Sequence, residues 1–314
     1  MSTPDGTTPS TPGAVTGTAP GTAPNTPGTA PTASHQEDTM TITDTLPRDP
    51  ATAPGPGGTA YPEIEPVKGV SFLTLLQVEL RKMVDTRSGR WLLISILLIT
   101  ALSMGITLWV NRDSGTGLLP LLLAANIPQA ILIPILGIMT AANEWSQRTA
   151  LITFTQEPRR MRVMAAKTAA AVVLGLIVLA LSILLAMGAH AVSMVVADGG
   201  QIDLAMGWTL LLHLVVIQTL GVLMGVAFGA LLLNVPLGIV AYVLVPTLSP
   251  LLFMTTAWLR ENSAWLDMGM AQGALMGDQA LTGEQWAQVG TSAALWILLP
   301  LVIGCWRVAR KEVK

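Results

Sequence analysis

The sequence predicts an all-α membrane protein: six transmembrane helices, preceded by an amphipathic interfacial helix and a disordered N-terminal tail. Three observations carry this. Of 314 residues, 51% are hydrophobic and only 11% are charged, against about 25% charged in an ordinary soluble domain. Six apolar runs have lengths near the roughly 20 residues that a helix needs to cross a bilayer. The basic residues flanking those runs fall almost entirely on one side.

Residues 1–67 come first and are mostly Thr, Pro, Ala and Gly, as in "TPGAVTGTAPGTAPNTPGTAP". Such a segment cannot bury enough apolar area to offset its ordering entropy, so disorder with local polyproline II is expected. It is acidic, with Asp5, Glu37, Asp38, Asp44, Asp49, Glu63 and Glu65 against Arg48 alone. Residues 1–30 lack the basic start and apolar core of a signal peptide, so none is expected. Residues 68–90 follow. In "FLTLLQVELRKMVDTRSGR", Phe72, Leu73, Leu76, Leu80, Met83 and Val84 recur at helical spacing. Gln77, Glu79, Arg81, Lys82 and Asp85 take the opposite face. That pattern predicts a helix lying flat in the membrane interface.

The six spans occupy residues 91–110, 118–142, 165–196, 206–233, 235–253 and 293–308 of a membrane domain covering 91–314. Lys68, Arg81, Lys82, Arg87 and Arg90 precede the first. Arg148, Arg159, Arg160, Arg162 and Lys167 follow the second, and Arg307, Arg310, Lys311 and Lys314 end the chain. The opposite loops hold only Arg112 and Arg260. Basic loops stay in the cytosol, so both termini are expected there, as an even span number requires. Trp91, Trp109, Trp145, Trp208 and Trp306 sit near predicted span ends, where amphipathic rings favour the headgroup zone. Residues 254–290 form the longest external loop, expected to contain one or two short helices on the outer face.

Within the spans, Gly221, Gly225 and Gly229 share one helix face and predict close helix packing, with a partner that the sequence leaves open. Pro128, Pro134, Pro246 and Pro300 predict kinks, which suit a protein that opens and closes. Pro120 and Pro236 sit near helix starts, where proline is harmless. Asn126, Gln129 and Gln218 are expected to join helices. His190, His213 and Gln218 are the candidate pathway-lining residues, the two histidines at comparable depth near the outer end. The spans show almost no Asp, Glu, Lys or Arg, which argues against a proton- or sodium-coupled carrier. Cys305 has no partner for a disulfide and reads as a buried thiol. No G-x-x-x-x-G-K-[ST] loop, H-E-x-x-H or G-x-S-x-G motif occurs, and His35, His190 and His213 are too scattered for a metal cluster. The chain is therefore expected to be no enzyme and to hold no cofactor or metal.

Between the second and third spans lies "EWSQRTALITFTQEPRRMR". Residues 149–156 fit a short helix across the cytoplasmic face, with an apolar patch of Ala150, Leu151, Ile152 and Phe154 rimmed by charge. Such a patch has the character of a protein-binding surface. Basic residues placed by orientation alone, with the apolar ones touching lipid, would account for the arginines but less well for the apolar set.

From "VELRKMVDTRSGRW", then a span, then "EWSQRTALITFTQEPRRMRVMAAK" leading into the third, the chain resembles the permease subunit of type-2 ABC exporters. The matching positions are Glu144, Thr149-Ala150-Leu151, Pro158-Arg159-Arg160 and Lys167, and "WRVARKEVK" is similar to that family's basic ending. Ile152-Thr153-Phe154-Thr155 departs from it where more leucine is usual. The resemblance spans 72–314. It implies a six-helix half-transporter that pairs with a second copy or a paralogue in the plasma membrane. It also implies a separate ATPase carrying ATP and Mg, an exported substrate of unread identity, and no nucleic-acid partner. Residues 72–84 would be the elbow helix and 144–157 the coupling helix, with Glu144, Arg148, Thr149, Leu151, Phe154, Pro158 and Arg159 contacting the ATPase. Phe154→Asp is then expected to abolish ATPase binding while leaving membrane insertion intact. The competing expectations are a non-transporting immunity or binding subunit of the same fold, a secondary carrier and, with no catalytic constellation to support it, an intramembrane enzyme.

Overall fold

The structure, a computed structural model, describes residues 70–113, 115–197 and 202–312; the tail predicted over 1–67 lies outside them. The described residues form helices and connections, with no strand among them. Six helices are long and apolar enough to cross a membrane, which makes this a multi-pass membrane protein.

α1 spans Phe72–Asp85, capped by Ser71, whose Oγ accepts from the Thr74 N–H. Thr86 then breaks the chain with an extended backbone, and its hydroxyl accepts from the Gly89 N–H to start α2, Arg87–Val110. Residues 87–90 therefore belong to the first span. A threonine that satisfies the free N–H groups of the next helix turn favours this break. The turn is so tight that a Cβ on Gly89 would collide with the Met83 carbonyl.

α3 spans Leu118–Ser146, the short α4 Ala150–Gln156, α5 Arg160–Val196, α6 Trp208–Leu232 and α7 Val235–Phe253. The region between α7 and the sixth span holds three short helices, more than the one or two expected: α8 Ala257–Glu261, α9 Ser263–Leu266 and α10 Met268–Gly273, followed by a 3-10 turn over Ala274–Met276. α11, Gly283–Ala293, runs through a π-helical turn at Ala294–Leu298 into α12, Leu299–Arg310. The sixth span thus occupies Gly283–Arg310 and begins ten residues before the expected start. Its first turns, "GEQWAQVGTSA", are polar on one face, and so escaped a hydropathy reading. A reciprocal cap between Thr282 and Gln285 opens them.

α6 is the centre of the bundle and packs against α3, α5, α7 and α12. Its approach to α3 is made by glycine. A Cβ on Gly225 would run into the Pro134 carbonyl, and one on Gly229 would lie 2.8 Å from the Ile138 oxygen. Gly137 of α3 answers from the other side, its Cβ position 2.5 Å from the Val222 oxygen. Gly221 lies at the edge of this contact, 3.9 Å from Pro134. The partner that the sequence left open is thus α3 of the same chain. Gln218 donates to the Gly175 carbonyl (2.8 Å) and Gln129 to Ser182 Oγ (2.6 Å), joining α6 and α3 to α5. Ile94, Leu98, Leu102 and Ile106 of α2 are exposed, as a lipid-facing stripe requires.

The prolines of α3 are stapled rather than loose. Proline lacks an N–H, so Pro128 frees the carbonyl of Ala124 and Pro134 frees that of Ala130. Ser103 of α2 donates its hydroxyl to Ala124 (2.7 Å), and Tyr242 of α7 donates to Ala130 (2.5 Å). Neighbouring helices therefore supply the hydrogen bonds that lipid cannot. Pro300 stands in the first turn of α12.

Candidate functional site

The strongest concentration of charge and space lies at the end of the bundle where α3 finishes, α4 crosses, α5 begins, α12 ends and α1 packs on α5. α3 closes with Arg148 in a left-handed conformation (φ 58°), which turns the chain so that the Thr149 N–H reaches back to the Glu144 carbonyl (2.9 Å). α4 follows with Ala150 buried. Phe154 also turns inward, packing on Leu75, Val163 and Ala166. Its ring lies 5.9 Å from that of Trp145, with the Arg160 guanidinium 5.1 Å above it. Phe154 therefore seats α4 on the bundle and is not an outward contact. Leu151 and Ile152 are 50% and 61% exposed, Ile152 at the rim of the cavity described below.

Beyond α4, Glu157 is buried and accepts from the Arg159 N–H and from the Arg162 guanidinium (3.1 Å). Pro158 and Arg159 are exposed in this turn, and α5 begins at Arg160. Arg160 donates to the Val308 and Lys311 carbonyls (2.9 and 2.7 Å), and the Lys311 ammonium lies over Trp145 (5.2 Å). These contacts tie the end of α12 to α3, α4 and α5. An arginine on the last carbonyls of a helix completes bonds that the helix cannot make internally.

Above α4 four charged groups interlock. Lys167 Nζ, two turns into α5, donates to Glu79 Oε2 of α1 (2.8 Å) and to Glu144 Oε1 of α3 (3.0 Å). Lys82 Nζ donates to Glu79 Oε1 (2.8 Å) and to the same Glu144 oxygen (3.0 Å). The side chains of Glu79 and Lys167 are 3% and 5% exposed. Burial alone would lower the Lys82 pKa, but the Glu79 and Glu144 carboxylates outweigh it and hold it above its ordinary value. These groups form one wall of a cavity of about 260 Å³. Met83, Leu92, Leu136 and Met139 form an apolar wall, and Thr149, Ile152 and Thr153 of α4 also line it.

Two sequence expectations are corrected here. Glu79, placed on the solvent face of α1, lies in the buried stripe Leu75–Glu79–Met83, because Lys167 supplies its counter-charge. The expectation of spans almost free of ionisable groups also fails at this end, where Lys167 and Glu144 lie within span helices. The argument against an ion-coupled carrier loses that support. A buried Asp267 was missed as well: its carboxylate accepts from Ser249 of α7 (2.5 Å) and caps α10 through the Met270 N–H (2.9 Å). The signal that could have exposed Glu79 was Lys167 itself, since a lysine inside a span demands a counter-charge.

The candidate pathway residues do not gather. His190 Nδ1 bonds the Thr116 carbonyl (2.7 Å) and His213 Nδ1 the Gly277 carbonyl (2.9 Å), so the two rings hold different loops instead of each other. Gln218 is spent on Gly175 and borders a void of only about 10 Å³. Gly221, Gly225 and Gly229 serve packing. Among the described residues, no group of three or more His, Cys, Asp or Glu side chains could hold a metal ion. Compared with protein-family models and with curated proteins, the chain matches none.

Proposed function

We propose that this chain is the membrane-spanning permease subunit of an ATP-binding cassette exporter, with both termini in the cytosol and the plasma membrane as its site. A second copy or a paralogue completes the translocation pathway. A separate ATPase carries ATP and Mg and supplies all nucleotide hydrolysis. It docks on α4, and its closure pushes that helix. The observation that carries this reading is the split of α4. One side, Ala150 and Phe154, is fixed to the bundle, while Leu151 and Ile152 stand exposed on a short helix outside the spans, at the basic end. Exposed aliphatic side chains among charged neighbours suit a protein partner better than water.

The test is co-purification with a P-loop ATPase that lacks spans of its own and is encoded in the neighbouring reading frame. Burying the exposed parts of Leu151 and Ile152 is worth about 2–3 kcal/mol in all, or roughly 30- to 150-fold in affinity. Leu151→Asp with Ile152→Asp should therefore abolish capture of the ATPase while membrane insertion persists. Unchanged capture would sink the proposal, as would tags near residues 150 and 310 that react from outside intact cells. The charge network near the start of α5 gives a self-contained carrier some standing, and transport driven by an ion gradient without any ATPase would favour it.

A further inference from the structure

The charge network and the cavity together have the features of a ligand site. Each lysine ammonium has three N–H groups. Lys82 and Lys167 each donate two of them to Glu79 and Glu144. Glu144 receives both lysines on Oε1, and Oε2 takes no hydrogen bond among the described residues. The cluster thus offers two unfilled donors and one unfilled carboxylate oxygen beside a cavity of about 260 Å³. A water's share of liquid volume is about 30 Å³, so the space exceeds what one or two bridging waters would fill.

The charges define the visitor. Two carboxylates and two ammonium groups cancel, so a net anion or cation entering would remain uncompensated in a largely buried place. A zwitterion meets both poles and leaves the site neutral. Leu92, Leu136 and Met139, which line the same cavity, ask for an apolar body on the same molecule. The position fits as well: Trp91, 62% exposed and next in sequence to the cavity-lining Leu92, is the kind of ring that favours the headgroup level of a bilayer. We propose that this cavity binds a zwitterionic glycerophospholipid with a primary-amine headgroup, its phosphate on Lys82 and Lys167, its amine on Glu144, and the start of an acyl chain along Leu92, Leu136 and Met139. The lipid leans on Thr149 and Thr153, so it also braces α4 from the membrane side. The site needs no ATPase, and its test uses this chain alone, so it stands or falls separately from the transport reading.

The full chain in detergent micelles is titrated with dioctanoyl phosphatidylethanolamine, dioctanoyl phosphatidylglycerol and free phosphoethanolamine while thermal unfolding is followed. A ligand that binds only the folded state raises the melting temperature in a saturable way. The expected result is such a rise with phosphatidylethanolamine, and little or none with the other two. Met139→Trp fills the cavity without touching the ion pairs and should remove the rise; Leu92→Phe serves the same purpose if the tryptophan variant does not fold. Glu144→Gln should erase the preference for the amine lipid over phosphatidylglycerol. The absence of a saturable rise, an equal rise with phosphatidylglycerol, or a rise that survives in a folded cavity-filled variant overturns the proposal. A rise with phosphoethanolamine as large as the lipid's overturns the assignment to a lipid.

Discussion

Removing Lys167 should be more damaging than removing Lys167 and Glu79 together. In Lys167→Met the Lys82 ammonium is left alone against two carboxylates, Glu79 at 2.8 Å and Glu144 at 3.0 Å. Lys82 is 43% exposed, so solvent weakens what it can return. Glu79, 3% exposed, keeps a charge that its surroundings no longer balance. Breaking a buried pair from one side costs about 3–5 kcal/mol. Glu79→Leu errs in the other direction, placing two ammonium groups on Glu144 alone, and should cost a similar amount. The double variant leaves Lys82 and Glu144 as a neutral pair and puts aliphatic groups where the buried ions were, which is often close to neutral for stability. The expected coupling, the double variant's near-zero cost less the two single costs, is therefore about 6 kcal/mol or more in favour of the pair. Reversible unfolding in mixed micelles, followed by tryptophan fluorescence for the four members of the cycle, measures it directly. Additive effects, or single variants within about 0.5 kcal/mol of the parent, would refute the buried network.

Two further outcomes follow from the packing. Gly225→Ala drives a methyl into the Pro134 carbonyl and should cost about 1–3 kcal/mol through backbone displacement, whereas Gly221→Ala, 3.9 Å from its nearest neighbour, should stay within about 0.5 kcal/mol; thermal melts of the two variants check the contrast. Tyr242→Phe and Ser103→Ala each strip a hydrogen bond from a carbonyl that proline has already freed, and each should lose about 1–3 kcal/mol. The two losses should add nearly in full, because the donors sit on different helices and bond different carbonyls of α3, and the double variant in the same unfolding assay shows whether they do.

Much of the fold was legible because hydropathy and charge report different physics and agree. The centres of five spans follow from apolar runs alone. The starts of α2 and of the sixth span did not, for opposite reasons. Arg87 and Arg90 read as an approach to the membrane, yet the Thr86 hydroxyl makes them the first turn of α2. α11 is half polar because its inner face packs on α9 and α10, and protein contact leaves no hydropathy signature. At the site, Glu144 and Lys167 stood out in the sequence as separate positions, and the structure brings them to 3.0 Å. Glu79 was hidden by its own periodicity. A glutamate on an amphipathic helix is assigned to water unless the distant cation that buries it is known, and Lys167 lies 88 residues away.

The prolines show best where a local reading ends. Pro128 and Pro134 in α3 look like hinges in the sequence, yet they sit in the part of the bundle that can least move. α3 is locked to α6 by Gly137, Gly225 and Gly229, and both freed carbonyls are held by hydroxyls from α2 and α7. A kink that is stapled on either side fixes a helix shape instead of softening it. Under the proposed coupling, a force on α4 therefore takes another route. It enters α5 through Phe154 on Val163 and Ala166, reaches α1 through Lys167 and Glu79, and meets the final turn of α3 at Glu144 and Trp145. α1 joins α2 through the single extended residue Thr86. The part that should move when α4 is pushed is thus the first turns of α5 with the α1–α2 corner, while the middle of α5 stays tied to the α3–α6 core through Gln129 and Gln218.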